Sequence, residues 1–212
     1  MVKTRLKSGK PADASFKSPL RERVLNAAFS AFMEKGYAAA STLEIATRAK
    51  VSKRELYQIC ADKPALLRQA IAERAQRMRL PLLDLPPATD REALAATLKA
   101  LGTATLAGIC DPAVRAVHRL VISESVEAPE VAQTLYSSRA AGRAALARTL
   151  ARAQADRLLG KGDTAAMAAD FFALLIGDLM VRLLLRVADP LSPQAIERRA
   201  RDATEKFLRL YS

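Results

Sequence analysis

The 212-residue chain is half hydrophobic, carries a formal net charge of +12 at pH 7, and contains two cysteines and one histidine. This length permits one small domain and a second domain with a hydrophobic core of ordinary size. No glycine-rich phosphate loop and no Cys/His cluster at metal-ligand spacing is present, so we expect no enzyme, no catalytic residue, no cofactor and no metal site.

The first predicted element is a helix over residues 18–35. Ser18-Pro19 supplies an N-cap and a first-turn proline, and apolar residues then recur at helical spacing from Val24 to Phe32. Gly36 should end this helix by taking the left-handed conformation, as in a Schellman cap. Tyr37 should then fold back onto Phe32.

Two capping-box patterns follow, Ser41 with Glu44 and Ser52 with Glu55. They predict short helices over residues 42–49 and 53–59, joined by a tight turn. This arrangement is a helix-turn-helix, whose second helix fits the DNA major groove. A helix of about seven residues is unstable alone, so both must pack on the first helix.

The positive charge is concentrated near the N-terminus. Residues 1–79 contain 17 Lys/Arg against 7 Asp/Glu, whereas residues 80–212 contain 17 against 15. Residues 1–17 form a basic arm rich in serine, proline and lysine. The alternative is that these charges form only a solvated face. Together with the helix-turn-helix, the excess of positive charge over residues 1–79 favours double-stranded DNA as the partner.

Several short motifs resemble the DNA-binding domain of the tetracycline-repressor (TetR/AcrR) family: Lys35-Gly36-Tyr37, Ile45-Ala46, Val51-Ser52-Lys53, Leu56-Tyr57 and Lys63-Pro-Ala-Leu-Leu67. The resemblance implies an all-helical homodimer with a small DNA-binding domain and a larger effector-binding, dimerising domain. It implies DNA contacts by Thr42, Ser52, Lys53, Tyr57 and Lys63. We add Lys50 and Arg54 as cations at the turn and helix start.

Three positions depart from the family pattern. Lys50 stands where the family usually has glycine, Glu55 where it has a small residue or threonine, and Ile59-Cys60 where it has an aromatic pair. Glu55 could accept from a cytosine in the groove or cap its own helix at Ser52, and the spacing favours the cap. Cys60 could leave the core underfilled unless Ile59 fills the gap.

The rest of the chain predicts only helices. We expect them over residues 64–80, 90–109, 112–124, 129–159, 163–187 and 193–210, with a break from Pro81 to Pro87. The fold class is therefore all-α: an arm over residues 1–17, a helix-turn-helix domain over 18–63 and a helical effector-binding and dimerisation domain over 64–212. The apolar run from Phe171 to Val187 is interrupted by charges, so no membrane span is expected.

The last two predicted helices favour a homodimer. The first is apolar around almost its whole circumference and the second bears an apolar stripe, so two copies could form a four-helix, two-fold interface. The alternative is a larger core within one chain. The predicted interface residues are Leu175, Asp178, Arg182, Ile196 and Phe207, with Asp178 and Arg182 paired four residues apart.

Small residues on the helices over 90–109 and 129–159, including Gly102, Gly108 and Gly142, favour a pocket between helices or, alternatively, close helix packing. The predicted lining is Cys110, His118, Tyr136, Arg139, Met167 and Phe171. These side chains fit a largely apolar small-molecule effector.

These features predict a cytoplasmic transcriptional regulator, a repressor released from a palindromic operator by a small molecule. The cytoplasm follows from two cysteines in a chain without a recognisable signal peptide. Two alternatives remain: a ligand- or partner-binding protein that has lost specific DNA reading, and a non-inducible architectural DNA-binding protein.

Overall fold

The computed structural model describes residues 18–83, 88–126 and 129–212, with the backbone alone described for 75–83. Throughout these ranges the only regular elements are α-helices, which confirms the all-α class. The predicted arm lies outside the described residues. The helices are α1 Pro19–Ala39, α2 Thr42–Ala49, α3 Lys53–Ile59, α4 Lys63–Leu83, α5 Arg91–Cys110, α6 Pro112–Glu124, α7 Pro129–Ala155, α8 Thr164–Ile176, α9 Leu179–Leu184 and α10 Pro193–Leu210.

The chain divides into two compact units, the first ending at Ala70 and the second beginning at Ile71. The division falls inside α4, seven residues beyond the domain boundary expected from the sequence. Each unit has a buried apolar core of its own. The expected assignment of the sensing and dimerising roles to the second unit stays a prediction.

The core of the first unit lies between α1, α2, α3 and the start of α4. Leu25, Phe32, Ile45, Leu56 and Leu66 are each at most 1% exposed. Removal of these side chains from water is the main stabilising term for helices this short.

Cys60 lies in this core with 1% of its surface exposed, whereas Ile59 is half-buried. The cysteine, and not Ile59, therefore occupies the buried position. Burial raises the pKa of the Cys60 thiol to about 11, so the group remains a neutral thiol.

The end of α1 differs in detail from the expectation. Gly36 has φ 78° and ψ 166°, a positive φ that favours glycine but lies outside the left-handed helical region. The Ala40 N–H closes the turn by donating to the Gly36 carbonyl at 3.3 Å. The predicted contact of Tyr37 with Phe32 is confirmed, with ring centroids 5.6 Å apart.

A Schellman motif ends α2 instead. Lys50 adopts the left-handed conformation with φ 53° and ψ 49°. Its N–H donates to Thr47 O at 3.1 Å, and the Val51 N–H donates to Ala46 O at 3.0 Å. This is the bond pair of the motif, in which the left-handed residue is usually glycine. Lys50 therefore holds a backbone conformation that its side chain disfavours.

The second unit is built around α5, α7, α8 and α10. Phe171 and Phe207 are fully buried at its centre, with centroids 5.5 Å apart and rings nearly perpendicular at 86°. Close approach of the helices depends on Gly102. A Cβ there would lie 3.1 Å from the Leu175 side chain and 3.2 Å from Ala200 Cβ.

The predicted single helix over residues 163–187 was wrong, because α8 ends at Ile176 and α9 begins at Leu179. Gly177 has φ 51° and ψ −130°, which is incompatible with a continuous helix. Arg199 satisfies the carbonyls freed at this end, with Nε donating to Leu175 O at 2.7 Å and Nη2 to Ile176 O at 2.8 Å. The apolar sequence pattern continues across the break and therefore conceals it.

Two other helix ends were also misplaced. Helix α4 continues through Pro81 to Leu83, although a proline at this position lacks one backbone hydrogen bond and crowds the carbonyl four residues earlier. The remainder of the expected break, residues 84–87, lies outside the described residues. Helix α7 ends at Ala155 and not at residue 159.

Within the described ranges, α5 is the one helix long and apolar enough to cross a membrane by length and composition. Its leucines at 94, 98, 101 and 106 are buried in the core of the second unit. Core helices of this kind commonly pass the same test.

Replacing Lys50 by glycine should stabilise the protein by about 0.5–1 kcal/mol, since glycine adopts the left-handed conformation without a Cβ clash. Urea unfolding monitored by circular dichroism would measure the gain. The matched control is Asn26→Gly, at an exposed helical position of α1, which should lose stability. An unchanged or lowered midpoint for Lys50→Gly would contradict the assigned conformation.

Candidate DNA-binding surface and ligand cavity

The exposed face of α3 is a candidate surface for DNA. Leu56 is fully buried and fixes the helix on the first unit, whereas Lys53, Arg54, Tyr57 and Gln58 are exposed. Lys53 and Arg54 lie at the N-terminal end of α3, the end of the second helix that contacts base edges in helix-turn-helix proteins.

Glu55 caps its own helix. Its Oε2 accepts from the Ser52 backbone N–H and from the Ser52 hydroxyl, both at 2.8 Å, and the Glu55 N–H donates to Ser52 Oγ at 3.2 Å. These hydrogen bonds hold the pKa of the Glu55 carboxyl below its usual value. The capping role that the spacing favoured is confirmed. Both side chains are engaged in holding the start of α3.

The expected capping box at α2 forms only in part. The Ser41 hydroxyl accepts from the Glu44 N–H at 3.1 Å, but the Glu44 carboxylate contacts Lys35 at 2.8 Å and Arg48 at 2.6 Å. Arg48 also contacts Glu34 at 2.7 Å. This network joins the end of α1 to α2. Only the four-residue spacing of Glu44 and Arg48 could have indicated part of it from sequence.

Thr42, Lys53 and Tyr57, three of the predicted DNA-binding residues, lie together. The Thr42 hydroxyl is 3.4 Å from the Tyr57 hydroxyl, and Lys53 Nζ lies 5.9 Å from the centroid of the Tyr57 ring. One ammonium and two hydroxyls are therefore clustered across α2 and α3. Such a set can donate to neighbouring phosphate oxygens.

The other predicted DNA-binding residues differ in their freedom to reach a ligand. Lys50 is exposed in the turn between α2 and α3, and Arg54 is exposed in the first helical turn of α3. Among the described residues no hydrogen bond or ion pair engages the Arg54 side chain. Lys63 Nζ donates to Ala38 O at 3.1 Å and lies 4.6 Å from the Tyr37 ring centroid. Lys63 therefore holds the last turn of α1 and keeps two further donors.

The second unit contains a cavity of about 190 Å³. It lies between α5, α6 and α7, the three helices from which the sequence predicted a crevice, and is completed by α8 and α9. Its polar side chains are few: Thr105, His118, Ser138, Arg139 and Arg143. Its other lining residues include Gly108, Ile109, Val114, Leu135, Gly142, Phe172, Ile176 and Met180.

Of the six predicted lining residues, the structure brings His118 and Arg139 to the cavity. The assignment of Met167 and Phe171 to the cavity lining was wrong, since both side chains are fully buried in the core. Cys110 packs half-buried against that core, and Tyr136 is 59% exposed, with the Arg143 guanidinium 5.6 Å from its ring centroid.

The position of α8 explains this error. Residues 167, 171 and 175 share its core face, whereas Phe172 and Ile176, each one position later, line the cavity. The cavity-lining residues are apolar like the core residues, so apolar spacing alone could not separate the two faces. Their one-position offset from the core stripe was the available signal.

The glycines also separate into two roles. For Gly102 the alternative of close helix packing holds, since it permits close packing of α5 on Leu175 and Ala200. Gly108 and Gly142 line the cavity, and a Cβ at either would meet no atom within 4 Å. The space beside α7 is therefore open at Gly142.

The predicted interface residues were wrong at three positions. Leu175 and Phe207 are fully buried and Ile196 is 7% exposed, so the chain's own helices cover them. The alternative of a larger intrachain core accounts for these three side chains. The predicted pair is confirmed, since Arg182 Nε lies 3.9 Å from Asp178 Oδ2 on an exposed surface. Apolar side chains on α8, on α9 and directly after α9 remain exposed nearby: Leu174, Val181 and Leu185.

Two family models match the chain. The model described as bacterial regulatory proteins, tetR family, covers residues 24–70. The model described as the C-terminal domain of AefR-like transcriptional repressors covers residues 96–212, more than half of the chain. A comparison with curated proteins gave no match.

Solved structures of similar proteins cover nearly the whole chain. A putative TetR-family transcriptional regulator from Mesorhizobium loti is 23% identical with a TM-score of 0.82, over 92% of this chain and 100% of that one. The flavonoid-responsive regulator FrrA is 29% identical with a TM-score of 0.77, over 91% and 97%. A TetR transcriptional regulator from Agrobacterium tumefaciens is 24% identical with a TM-score of 0.77, over 92% and 95%.

Arg54 and Lys53 should differ in what they contribute to DNA recognition. A guanidinium without another partner can bind guanine O6 and N7 together. Arg54→Ala should therefore reduce the base preference at one position of each half-site and weaken specific binding by about 1–3 kcal/mol. Lys53→Ala should weaken all sequences alike and lower the salt slope by about one. Selection from random DNA and salt titrations would measure both effects.

The control is Lys99→Ala, which removes an exposed cation from α5 in the other unit. It should change neither base preference nor salt slope. Identical, uniform losses for Arg54→Ala and Lys53→Ala would show that Arg54 contacts phosphate only.

Proposed function

The chain belongs to the tetR family of bacterial transcriptional regulators, and on that premise we propose that it is a repressor released from a palindromic operator by a small molecule. The observation that carries the proposal is the cavity between α5, α6, α7, α8 and α9. It combines largely apolar walls with a few polar side chains, as small-molecule sites usually do. It lies in the unit that does not contain the helix-turn-helix.

The DNA contact of this proposal uses the start of α3 and the cluster of Thr42, Lys53 and Tyr57. The capping box holds the helix, and Arg54 and Gln58 remain exposed for the groove. The basic arm over residues 1–17 would add contacts to the DNA backbone or minor groove. A regulator working on DNA in this way would act in the cytoplasm of a bacterium.

Neither alternative from the sequence is favoured. A filled C-terminal core would suit a non-inducible architectural protein, but the second unit has a cavity. Loss of specific DNA reading was suggested by the departures at Lys50, Glu55 and Cys60. The described geometry accommodates all three residues, in a Schellman turn, a capping box and a buried core position.

A homodimer would satisfy the two-fold symmetry of a palindrome. Exposed Leu174, Val181 and Leu185, beside the Asp178–Arg182 pair, are the apolar surface we assign to it. Leu174 is 39%, Val181 57% and Leu185 67% exposed, so a partner could remove all three side chains from water. This surface replaces the buried residues predicted from the sequence.

The effector is proposed to be largely apolar. FrrA, a flavonoid-responsive regulator, is 29% identical over nearly the whole chain. A flavonoid is a flat, mostly apolar molecule with a few hydroxyl and carbonyl groups. The cavity offers apolar walls with isolated polar side chains, which suit that chemistry.

Val181→Glu should convert the dimer to a monomer, since a charge without a partner in an apolar contact costs several kcal/mol. Light scattering would measure the molar mass, and circular dichroism should show an unchanged fold because position 181 is exposed. Ile122→Glu is the matched control, with 59% exposure on α6. A Val181→Glu protein that stays dimeric at micromolar concentration would place the interface elsewhere.

Gly142→Leu should reduce effector binding at least tenfold by filling the cavity, while operator affinity stays unchanged. Stability should not fall, because a Cβ there meets no atom within 4 Å and leucine favours a helix over glycine by about 0.8 kcal/mol. Operator release by a ligand that induces the parent protein would be measured by fluorescence anisotropy of labelled DNA.

Ala144→Leu adds similar volume on the exposed side of α7 and should respond like the parent. Normal release of Gly142→Leu by the same ligand would show that the effector binds elsewhere. Absence of operator binding by the parent protein would overturn the proposed function itself.

A further inference from the structure

His118 is the single histidine of the chain and the one imidazole beside the cavity. It lies on α6 and is only 9% exposed. Its Nδ1 is 2.8 Å from the carbonyl oxygen of Val114, one helical turn earlier. The ring is therefore held by its own helix.

This hydrogen bond determines the tautomer of the neutral ring. A carbonyl oxygen can only accept, so Nδ1 must carry the proton and donate it. Nε2 is then an unprotonated acceptor. Among the described residues Nε2 has no hydrogen-bond partner, and it is shielded from solvent. Buried polar atoms without a partner are uncommon in folded proteins and are destabilising.

The surroundings keep the ring neutral. Burial is the largest influence and lowers the pKa of His118, the Val114 hydrogen bond raises it by less, and the positive charge of Arg139 adds a still smaller lowering effect. The charged residues that line the cavity are Arg139 and Arg143, and no lining residue is a carboxylate that could stabilise an imidazolium. At neutral pH, Nε2 therefore accepts and does not donate.

The other polar groups of the cavity have different capacities. The Thr105 hydroxyl already donates to Leu101 O at 2.8 Å. Arg139 and Arg143 offer only donors, which suit a carbonyl or other acceptor on a ligand. His118 Nε2 is a buried acceptor without a partner among the described residues, whereas the Thr105 and Ser138 hydroxyls of the same wall can also accept. Because Nε2 has almost no accessible surface in this arrangement, a ligand hydroxyl reaches it only when a neighbouring side chain shifts.

We propose that His118 Nε2 accepts a hydrogen bond from a hydroxyl group of the effector. The effector class is then a hydroxylated, otherwise largely apolar molecule, and His118 is the residue that selects it over analogues without the hydroxyl. The inference rests on the proposed function in one respect, that a small molecule occupies this cavity.

The single histidine allows a direct test on the unaltered protein. With ¹⁵N-labelled histidine and any histidine tag removed, the free protein should show one protonated Nδ1 and one unprotonated Nε2. The probes are naringenin, a hydroxylated flavanone, and flavanone itself, which has the same ring system without hydroxyls. Naringenin should move the Nε2 resonance towards the protonated range and leave Nδ1 nearly unchanged, whereas flavanone should not.

Titration calorimetry on variants tests whether His118 selects a hydroxylated ligand over one without hydroxyl groups. The parent protein should bind naringenin about tenfold more tightly than flavanone, which is the usual effect of one hydrogen bond to a buried group. His118→Phe should bind both probes about equally. His118→Gln, which retains an acceptor, should recover part of the preference. Ser138→Ala, in the same cavity wall, should retain all of it.

Four results would overturn the proposal: no preference in the parent protein, the same preference in His118→Phe, an Nε2 resonance that naringenin leaves unchanged, or failure of both probes to bind. The resonance measurement needs no variant. It therefore tests the hydrogen bond to Nε2 even if the His118→Phe protein folds poorly. If naringenin binds through His118 but leaves operator affinity unchanged, the inference stands and the effector role of this cavity fails.

Discussion

A seven-residue helix depends on its surroundings for stability, and this constraint governs the whole DNA-binding unit. So short a helix is marginal in water, so α3 exists only because Leu56 is buried and its first turn is capped. The cap uses both Ser52 and Glu55 and leaves Arg54 exposed in that turn. The same contacts that stabilise α3 therefore determine which of its side chains are engaged in the cap and which remain exposed.

The support of α3 extends through its neighbours. The Schellman turn at Lys50 sets the angle between α2 and α3, and the Glu34, Lys35, Glu44 and Arg48 network joins α2 to the end of α1. These ion pairs are exposed, so each contributes little stability. Their role is orientation, since they restrict how α2 can rotate on α1.

In the second unit, packing on one side of α8 leaves a cavity on the other. Phe171 and Leu175 pack into the core, which Gly102 permits to close tightly, whereas Phe172 and Ile176 face the cavity. A rigid core thus borders open space, and small residues such as Gly142 keep that space open. A ligand can shift such a protein only if it binds one arrangement better than another, and the hydrogen bond that we propose to His118 Nε2 would be a contact of that kind.

Local signals in the sequence determined the fold class and most helices, because caps, prolines and apolar spacing act within a few residues. They also favoured the cap at Glu55 over a contact with a base and indicated the region of the cavity, with close helix packing as the alternative. Only tertiary structure decided which apolar face of α8 is core, that Gly177 breaks the long helix, and that Leu175, Ile196 and Phe207 are buried within one chain. The reason is physical: an apolar side chain has the same sequence signature whether it packs on its own chain, on a partner or on a ligand, and only the positions of the other helices distinguish these cases.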